Sequence, residues 1–185
     1  MKKFLTIATT VLCAISLYGE EIKLGTGFSQ IKLGEKCIPG WIDQYSSNPN
    51  NGVSSVIKDK EGRLFFNVKS SKEPTSFYCS TKTPAKPGDI LVCAVRATGK
   101  GKISIGCYAF GTNGRYYPLP RRQRTITVSE TGKLYRVFIT LSDKGRYPLG
   151  TISPEFTVEK DSDINIYTLA YALIPKKEDT ANSKK

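Results

Sequence analysis

An all-β sandwich, a jelly roll of about ten short antiparallel strands, is the fold this sequence predicts. Three observations carry that expectation. Apolar and polar residues alternate with a period of two in one short run after another. Gly, Pro, Asn and Asp punctuate those runs at regular spacing. No stretch has the spacing of a useful amphipathic helix, and no repeat period is present.

Taken in order, Met1, Lys2 and Lys3 precede a mostly apolar run to Ser16. That pattern reads as a secretory signal peptide over residues 1–19, too short to span a bilayer. Residues 20–36 form a lead-in of short runs broken by Gly. Trp41 and Ile42 begin a strand, with Trp41 read as core or edge packing. Asn48, Pro49, Asn50, Asn51 and Gly52 are turn chemistry. Residues 53–58 and 63–70 read as a hairpin closed by the tight turn 59–62. Residues 75–82 form the next strand, with Phe77 and Cys79 on one face and Tyr78 on the other.

Residues 89–110 are the centre of the prediction. Two apolar runs flank Thr98, Gly99, Lys100, Gly101 and Lys102, the signature of a β-hairpin. Centred on Lys100, it sets Leu91 opposite Ala109, Cys93 opposite Cys107, Val95 opposite Ile105 and Ala97 opposite Ile103. That face is dry and needs a second layer. The other face carries Arg96, Tyr108 and Phe110 and is partly exposed. A basic, aromatic loop follows over 111–123. Strands over 125–128, 134–141, 151–158 and 164–174 complete the fold, and 176–185 is a disordered tail.

The formal net charge is +12. For an exported chain, secreted or periplasmic, that charge suits anionic polysaccharide, cell wall or a membrane surface better than nucleic acid. Without Cys13 the chain keeps Cys37, Cys79, Cys93 and Cys107. Two readings stand side by side: a Cys93–Cys107 disulfide across the hairpin, or four small buried thiols. No CxxC spacing supports a metal or redox site, and no cofactor is implied. There is no His, the commonest general base, and the acids considered fall in turns: Asp59, Glu61, Glu73, Asp89, Glu130 and Asp143. The expectation is a protein that is not an enzyme.

From residue 37 to 175 the feature order is distinctive. An early Trp41 and a polar loop lead to GRLFFNV (62–68) and then PAKPGDILVCAVRATGKGKISIGCYAF (84–110). TITVSETGKLYRVFITL (125–141) and DINIYTLAYALIP (163–175) follow. This order resembles the jelly-roll carbohydrate-binding modules found beside bacterial cellulases and xylanases, and galactose-binding-like sandwiches generally. The resemblance implies a glycan-binding module without catalysis, here standing alone. Such modules often carry paired Asp residues in the last strand for a structural calcium. Tyr167 and Thr168 stand there instead, so no calcium site is carried over.

Sugar rings have flat C–H faces that pack on aromatic rings. The expected platform is Tyr108, Phe110, Tyr116 and Tyr117, with Tyr45 as a rim. Arg96, expected on the same face as Tyr108, and Arg115, Arg121, Arg122 and Arg124 bias the site toward acidic or sulfated chains. The competing function is a structural or assembly protein of the cell envelope with the same fold and no sugar affinity.

Overall fold

The computed structural model describes residues 22–24, 26–44, 48, 52–117, 123–142 and 147–177. The expected signal segment, Tyr45, Arg121, Arg122 and residues 178–185 of the expected tail lie outside the described residues. The strands are β1 (Ile22–Leu24), β2 (Trp41–Asp43), β3 (Val53–Lys58), β4 (Leu64–Ser70), β5 (Thr75–Cys79) and β6 (Thr83–Pro84). They continue with β7 (Ile90–Gly111), β8 (Tyr116–Tyr117), β9 (Gln123–Val128), β10 (Lys133–Thr140), β11 (Leu149–Val158) and β12 (Ser162–Ile174). A 3-10 turn, Thr26–Gln30, follows β1. All pairings are antiparallel, and they form two sheets: the all-β sandwich expected.

Sheet A runs β10, β7, β12, β4, β3, with β1 also on β12. Sheet B runs β2, β5, β11, β7, β9, with β6 on β11 and β8 on β7. One strand therefore belongs to both. The expected hairpin over 89–110 is instead β7, a single strand of 22 residues. Its first half pairs with β10 and β12, and its second half with β9 and β11. A hairpin needs its two arms to bond each other; here each arm is fully paired with other strands. Gly99 and Gly101 are the corner, with φ of +128° and +121°. A Cβ at Gly99 would run into Asp163 O, and one at Gly101 into Ser162 Oγ. Glycine at both positions makes the passage from sheet to sheet possible.

The predicted facing survives this change of pairing. Leu91, Cys93, Val95 and Ala97 of one half, and Ile103, Ile105, Cys107 and Ala109 of the other, all lie buried in one core between the sheets. Cys93 and Cys107 are not strand partners: Cys93 pairs with Tyr171 and Val137, and Cys107 with Pro154. No disulfide forms among Cys37, Cys79, Cys93 and Cys107: the last three are buried thiols, as one reading expects, whereas Cys37 is only partly buried. Burial, reinforced by Cys107 nearby, pushes the Cys93 thiol well above its usual range.

The core is aromatic along its length. Phe66 meets Phe77 edge-on at 5.3 Å, Phe77 stacks on Phe156 at 4.9 Å, and Trp41 sits 5.4 Å from Phe156 and 5.8 Å from Tyr171. Trp41 is thus core packing, as expected. Tyr171 of sheet A donates its hydroxyl across the core to Glu155 O of sheet B at 2.7 Å. At one edge the β3–β4 turn is locked by Asp59, whose Oδ1 accepts from the N–H of Glu61 and of Arg63 at 2.9 and 2.8 Å.

Candidate functional site

Strand alternation gives sheet B an outer face of unusual chemistry. Register sets one row across it: Ile42, Tyr78, Glu155, Gly106 and Gln123. A second row is Ser76, Thr157, Ser104 and Thr125; a third holds Ser153 and Tyr108. Beyond it come Thr151, Phe110 and Tyr116. In β7 this face comes from the small or aromatic alternates Ser104, Gly106, Tyr108 and Phe110. In β11 it comes from Ser153, Glu155 and Thr157, set between the buried Ile152, Pro154, Phe156 and Val158.

The hydroxyl row is fully knitted. Ser76 and Thr157 share a hydrogen bond of 2.9 Å, and Ser104 and Thr125 one of 2.8 Å. Ser104 also reaches Glu159 Oε1 at 2.6 Å. Glu155 is 2% exposed, a buried carboxylate-bearing side chain in the middle of the face. Tyr171 fixes its carbonyl from the core side, which holds β11 while the Glu155 side chain lies on the other side of the strand.

Three tyrosines stand beside this row. Tyr78 and Tyr108 meet nearly perpendicular, at 88° with centroids 5.7 Å apart. Tyr116 meets Tyr108 at 67° and 6.0 Å. Tyr108 Oη donates to Gln44 Oε1 at 2.6 Å, which fixes the ring. The cluster therefore has two walls at a right angle and an exposed third ring, Tyr116 at 53%. Flat C–H surfaces pack on such walls, while Gln123 and Thr125, the accessible ends of the polar rows, offer donors and acceptors.

The residues expected at the site divide. Tyr108, Phe110 and Tyr116 come together on the outer face of sheet B. Phe110 is occupied from one side, with Lys82 Nζ 3.8 Å from its ring centroid. Arg115 is exposed in the turn 111–115, where its N–H donates to Asn113 Oδ1 at 3.0 Å. Arg96 does not share a face with Tyr108: it lies on sheet A, opposite Leu134 and Thr168, because β7 crosses between sheets instead of turning back. Arg124 pairs with Ile105, a core position, so it lies at the exposed edge on the core side of sheet B, not on the tyrosine face. Tyr117 pairs along its backbone with Ala109. Arg121 and Arg122, like Tyr45, lie outside the described residues.

Two members of the site were missed. Tyr78 lies on the face opposite Phe77 and Cys79, as the alternation predicts, and joins the aromatic platform. Glu155 was passed over because the acids considered were those in turns. Its signal was there: Ser153, Glu155 and Thr157 are three polar alternates within a strand of apolar ones. Among the described residues, no group of three His, Cys, Asp or Glu is placed to hold a metal ion. None of their helices is long and apolar enough to cross a membrane.

The sequence matches no family model and no curated protein. Solved structures do share the fold. A Stig cyclase, Fisc from Fischerella sp. TAU, superposes with a TM-score of 0.58 at 12% identity, over 85% of this chain and 100% of that one. The enzymatically active domain of tailspike protein 4 of bacteriophage CBA120 gives 0.55 at 13% identity over 75% of this chain. This chain spans about one fifth of that domain's length, 20%. A carbohydrate-binding module of family 29 gives 0.46 at 10% identity, over 83% of this chain and 90% of that one. The likeness to the cyclase and the tailspike domain is one of fold.

Proposed function

We propose that this chain is an exported glycan-binding protein whose ligand lies on the outer face of sheet B. The sugar rings pack against Tyr78, Tyr108 and Tyr116, and Gln123 and Thr125 at the accessible edge take the hydroxyls. The observation that carries this reading is the perpendicular Tyr78–Tyr108 pair, held by Gln44, beside a row of hydroxyls. Export rests on the charged and apolar start of the sequence. A preference for acidic or sulfated chains would have to come from Arg115 and the arginines at 121 and 122. The described face itself contributes Glu155 and Glu159, which favour neutral chains.

The test is affinity electrophoresis of the full chain through neutral, acidic and sulfated polysaccharides at low and high salt. Retardation by a neutral glycan, insensitive to salt, is expected. Tyr78→Ala with Tyr108→Ala should weaken it at least tenfold, about 1.4 kcal/mol, with an unchanged circular dichroism spectrum. Steep loss with salt would move the site to the arginines. Absence of retardation in every gel would remove the reading.

A second reading rests on Glu155. A carboxylate-bearing side chain buried at 2% beside tyrosines is also what a proton-transferring site looks like. The Fischerella cyclase of the same fold is known in complex with an indole ligand. In that reading the face holds a small organic molecule and Glu155 exchanges a proton with it. Glu155→Gln separates the two: binding that survives the change favours the glycan reading, and turnover of a small substrate lost with it favours the enzyme.

A further inference from the structure

The outer face of sheet A, where β10, β7, β12 and β1 lie side by side, has a chemistry of its own. Register sets its side chains in four rows. Thr140, Ile90 and Ile174 form the first, and Phe138, Val92, Ala172 and Lys23 the second. Arg136, Ala94 and Ala170 form the third, and Leu134, Arg96 and Thr168 the fourth. The small residues of β7 and β12 make a low floor. Val92 and Ile174, with Ile90, are an apolar cluster separate from the main core. Among the described residues β10 pairs only with β7, so it is the edge of the sheet and a ridge beside that floor. On the ridge Leu134 is 36% exposed and Phe138 57%, with the exposed Arg136 between them. Extended geometry sets Leu134 and Phe138 about 13 Å apart on the same side of the strand.

These four rows contain no Asp or Glu. They contain three cations, Lys23, Arg96 and Arg136, and none of the three is in an ion pair among the described residues. The ion pairs lie toward the other edge of the sheet, at Arg63 with Asp59 and Glu61 and at Lys69 with Asp163. Asp89, just before β7, is buried, and its carboxylate accepts from the N–H of Lys86 and of Lys176 at 2.8 and 2.9 Å. Cations without a local counter-charge, on a chain of net charge +12, attract an anionic partner. Leu134 and Phe138 require that partner to offer apolar depth as well. An acidic polysaccharide satisfies the cations and leaves Leu134 in water. A second copy of this chain, laid face to face, would bring the same cations together. An anionic lipid surface supplies both the charge and the apolar layer.

We propose that this part of sheet A is a peripheral docking face for an anionic lipid surface. Arg96, Arg136 and Lys23 meet the headgroups, and Leu134 and Phe138 enter the apolar layer just beneath them. The strands lie along the surface and none crosses it. The tyrosine face of sheet B is on the opposite side of the sandwich, so it stays free for its own ligand and the two sites do not depend on each other.

The test is co-sedimentation of the full chain with vesicles, one set of phosphatidylcholine alone and one of equal parts phosphatidylcholine and phosphatidylglycerol, at low and high salt. Binding that prefers the anionic set and weakens with salt is expected. Arg96→Gln with Arg136→Gln should lower the apparent affinity at least about tenfold. Leu134→Ser with Phe138→Ser should lower it at least about fivefold. Either pair carries the test if the other does not fold. Lys72→Gln with Lys160→Gln, exposed residues in the turns after β4 and β11, removes as much charge away from this face and should lower affinity far less. Tyr78→Ala with Tyr108→Ala should leave vesicle binding unchanged. No sedimentation with anionic vesicles overturns the proposal. An equal loss in the Lys72 and Lys160 variant also overturns it, by making adsorption a property of net charge alone. Equal binding to both sets, unmoved by any of these changes, would come from the apolar run before Ser16 and overturns it too. Retardation by a sulfated polysaccharide, lost with the arginine pair while vesicles fail to bind, would give the face to a glycan instead.

Discussion

The outer faces of the two sheets share strand β7 yet surround it with different chemistry. Sheet A presents Val92, Ala94 and Arg96 of β7, with Ala170 and Ala172 of β12 and the exposed Leu134 and Phe138 of β10. That part is small and apolar; toward β4 the face carries Phe65 against Tyr167 and a polar group in which Asn67 donates to Asp163 and Asn165. Sheet B presents hydroxyl rows, a buried Glu155 and three tyrosines in contact. Both faces obey the same alternation, and both back onto the same dry core. What differs is which strands stand beside β7, and that decides which side chains surround it.

The severest way to break this contrast is to attack the corner that both faces depend on. Gly99→Ala with Gly101→Ala should lower stability by about 3 kcal/mol or more, read as an earlier urea midpoint, because both residues have positive φ and both clash with 162–164. A smaller effect separates the faces. Ser76→Ala leaves Thr157 Oγ1 without its buried partner and should cost about 1–2 kcal/mol, whereas Ser76→Ala with Thr157→Val should be nearly neutral. Arg96→Ala on sheet A should shift stability by no more than about 0.5 kcal/mol and leave ligand binding untouched; weakened binding would reunite Arg96 with the site.

The shared interior is open to chemical test. Cys93, raised by burial and then by Cys107, stays a thiol at neutral pH. Cys79, Cys93 and Cys107 should resist iodoacetamide in the native protein and react once it unfolds, as mass spectrometry would show. The smallest effect concerns the edge of sheet A. Desolvation is the largest single influence on the Asp59 carboxyl and raises it, but hydrogen bonds from the Arg63 backbone and side chain, the Arg63 charge and the Glu61 N–H together outweigh it and hold it below its usual value. A depressed carboxyl stabilises above its unfolded pKa and loses that contribution as pH falls through the folded one. Protection of the amides in the β3–β4 turn against exchange, corrected for the intrinsic rate, should therefore fall in acid before that on sheet B does, and Asp59→Asn should abolish the difference.

Most of the strands were legible in the sequence, because alternation and turn residues are local. The β3–β4 hairpin is there as expected, locked by Asp59. Facing within β7 was legible too: every residue assigned to the dry side is in the core. Its pairing was not. The partners of β7 lie in β8 to β12, later in the chain, and a Gly-Lys-Gly run marks a reversal and a corner alike. That single ambiguity moved Arg96 to the wrong sheet and paired Cys93 with Cys107. Arg124 was misplaced by phase: Gln123 and Thr125, not Arg124, share the outer side with Gly106 and Ser104. Glu155 escaped notice because a carboxylate in a central strand runs against composition, and only the Ser, Glu, Thr alternation betrays it.

The position of β12 bears on how the molecule is made. In sheet A it lies between β7 and β4, the last described strand inserted between two earlier ones. During synthesis from the N-terminus, β4 and β7 must wait side by side, each with an unpaired edge, until Ser162–Ile174 arrives. Sheet A can close only after nearly the whole described chain is available, so its folding is a late, concerted event, and a truncation before residue 162 leaves two open edges rather than a smaller domain.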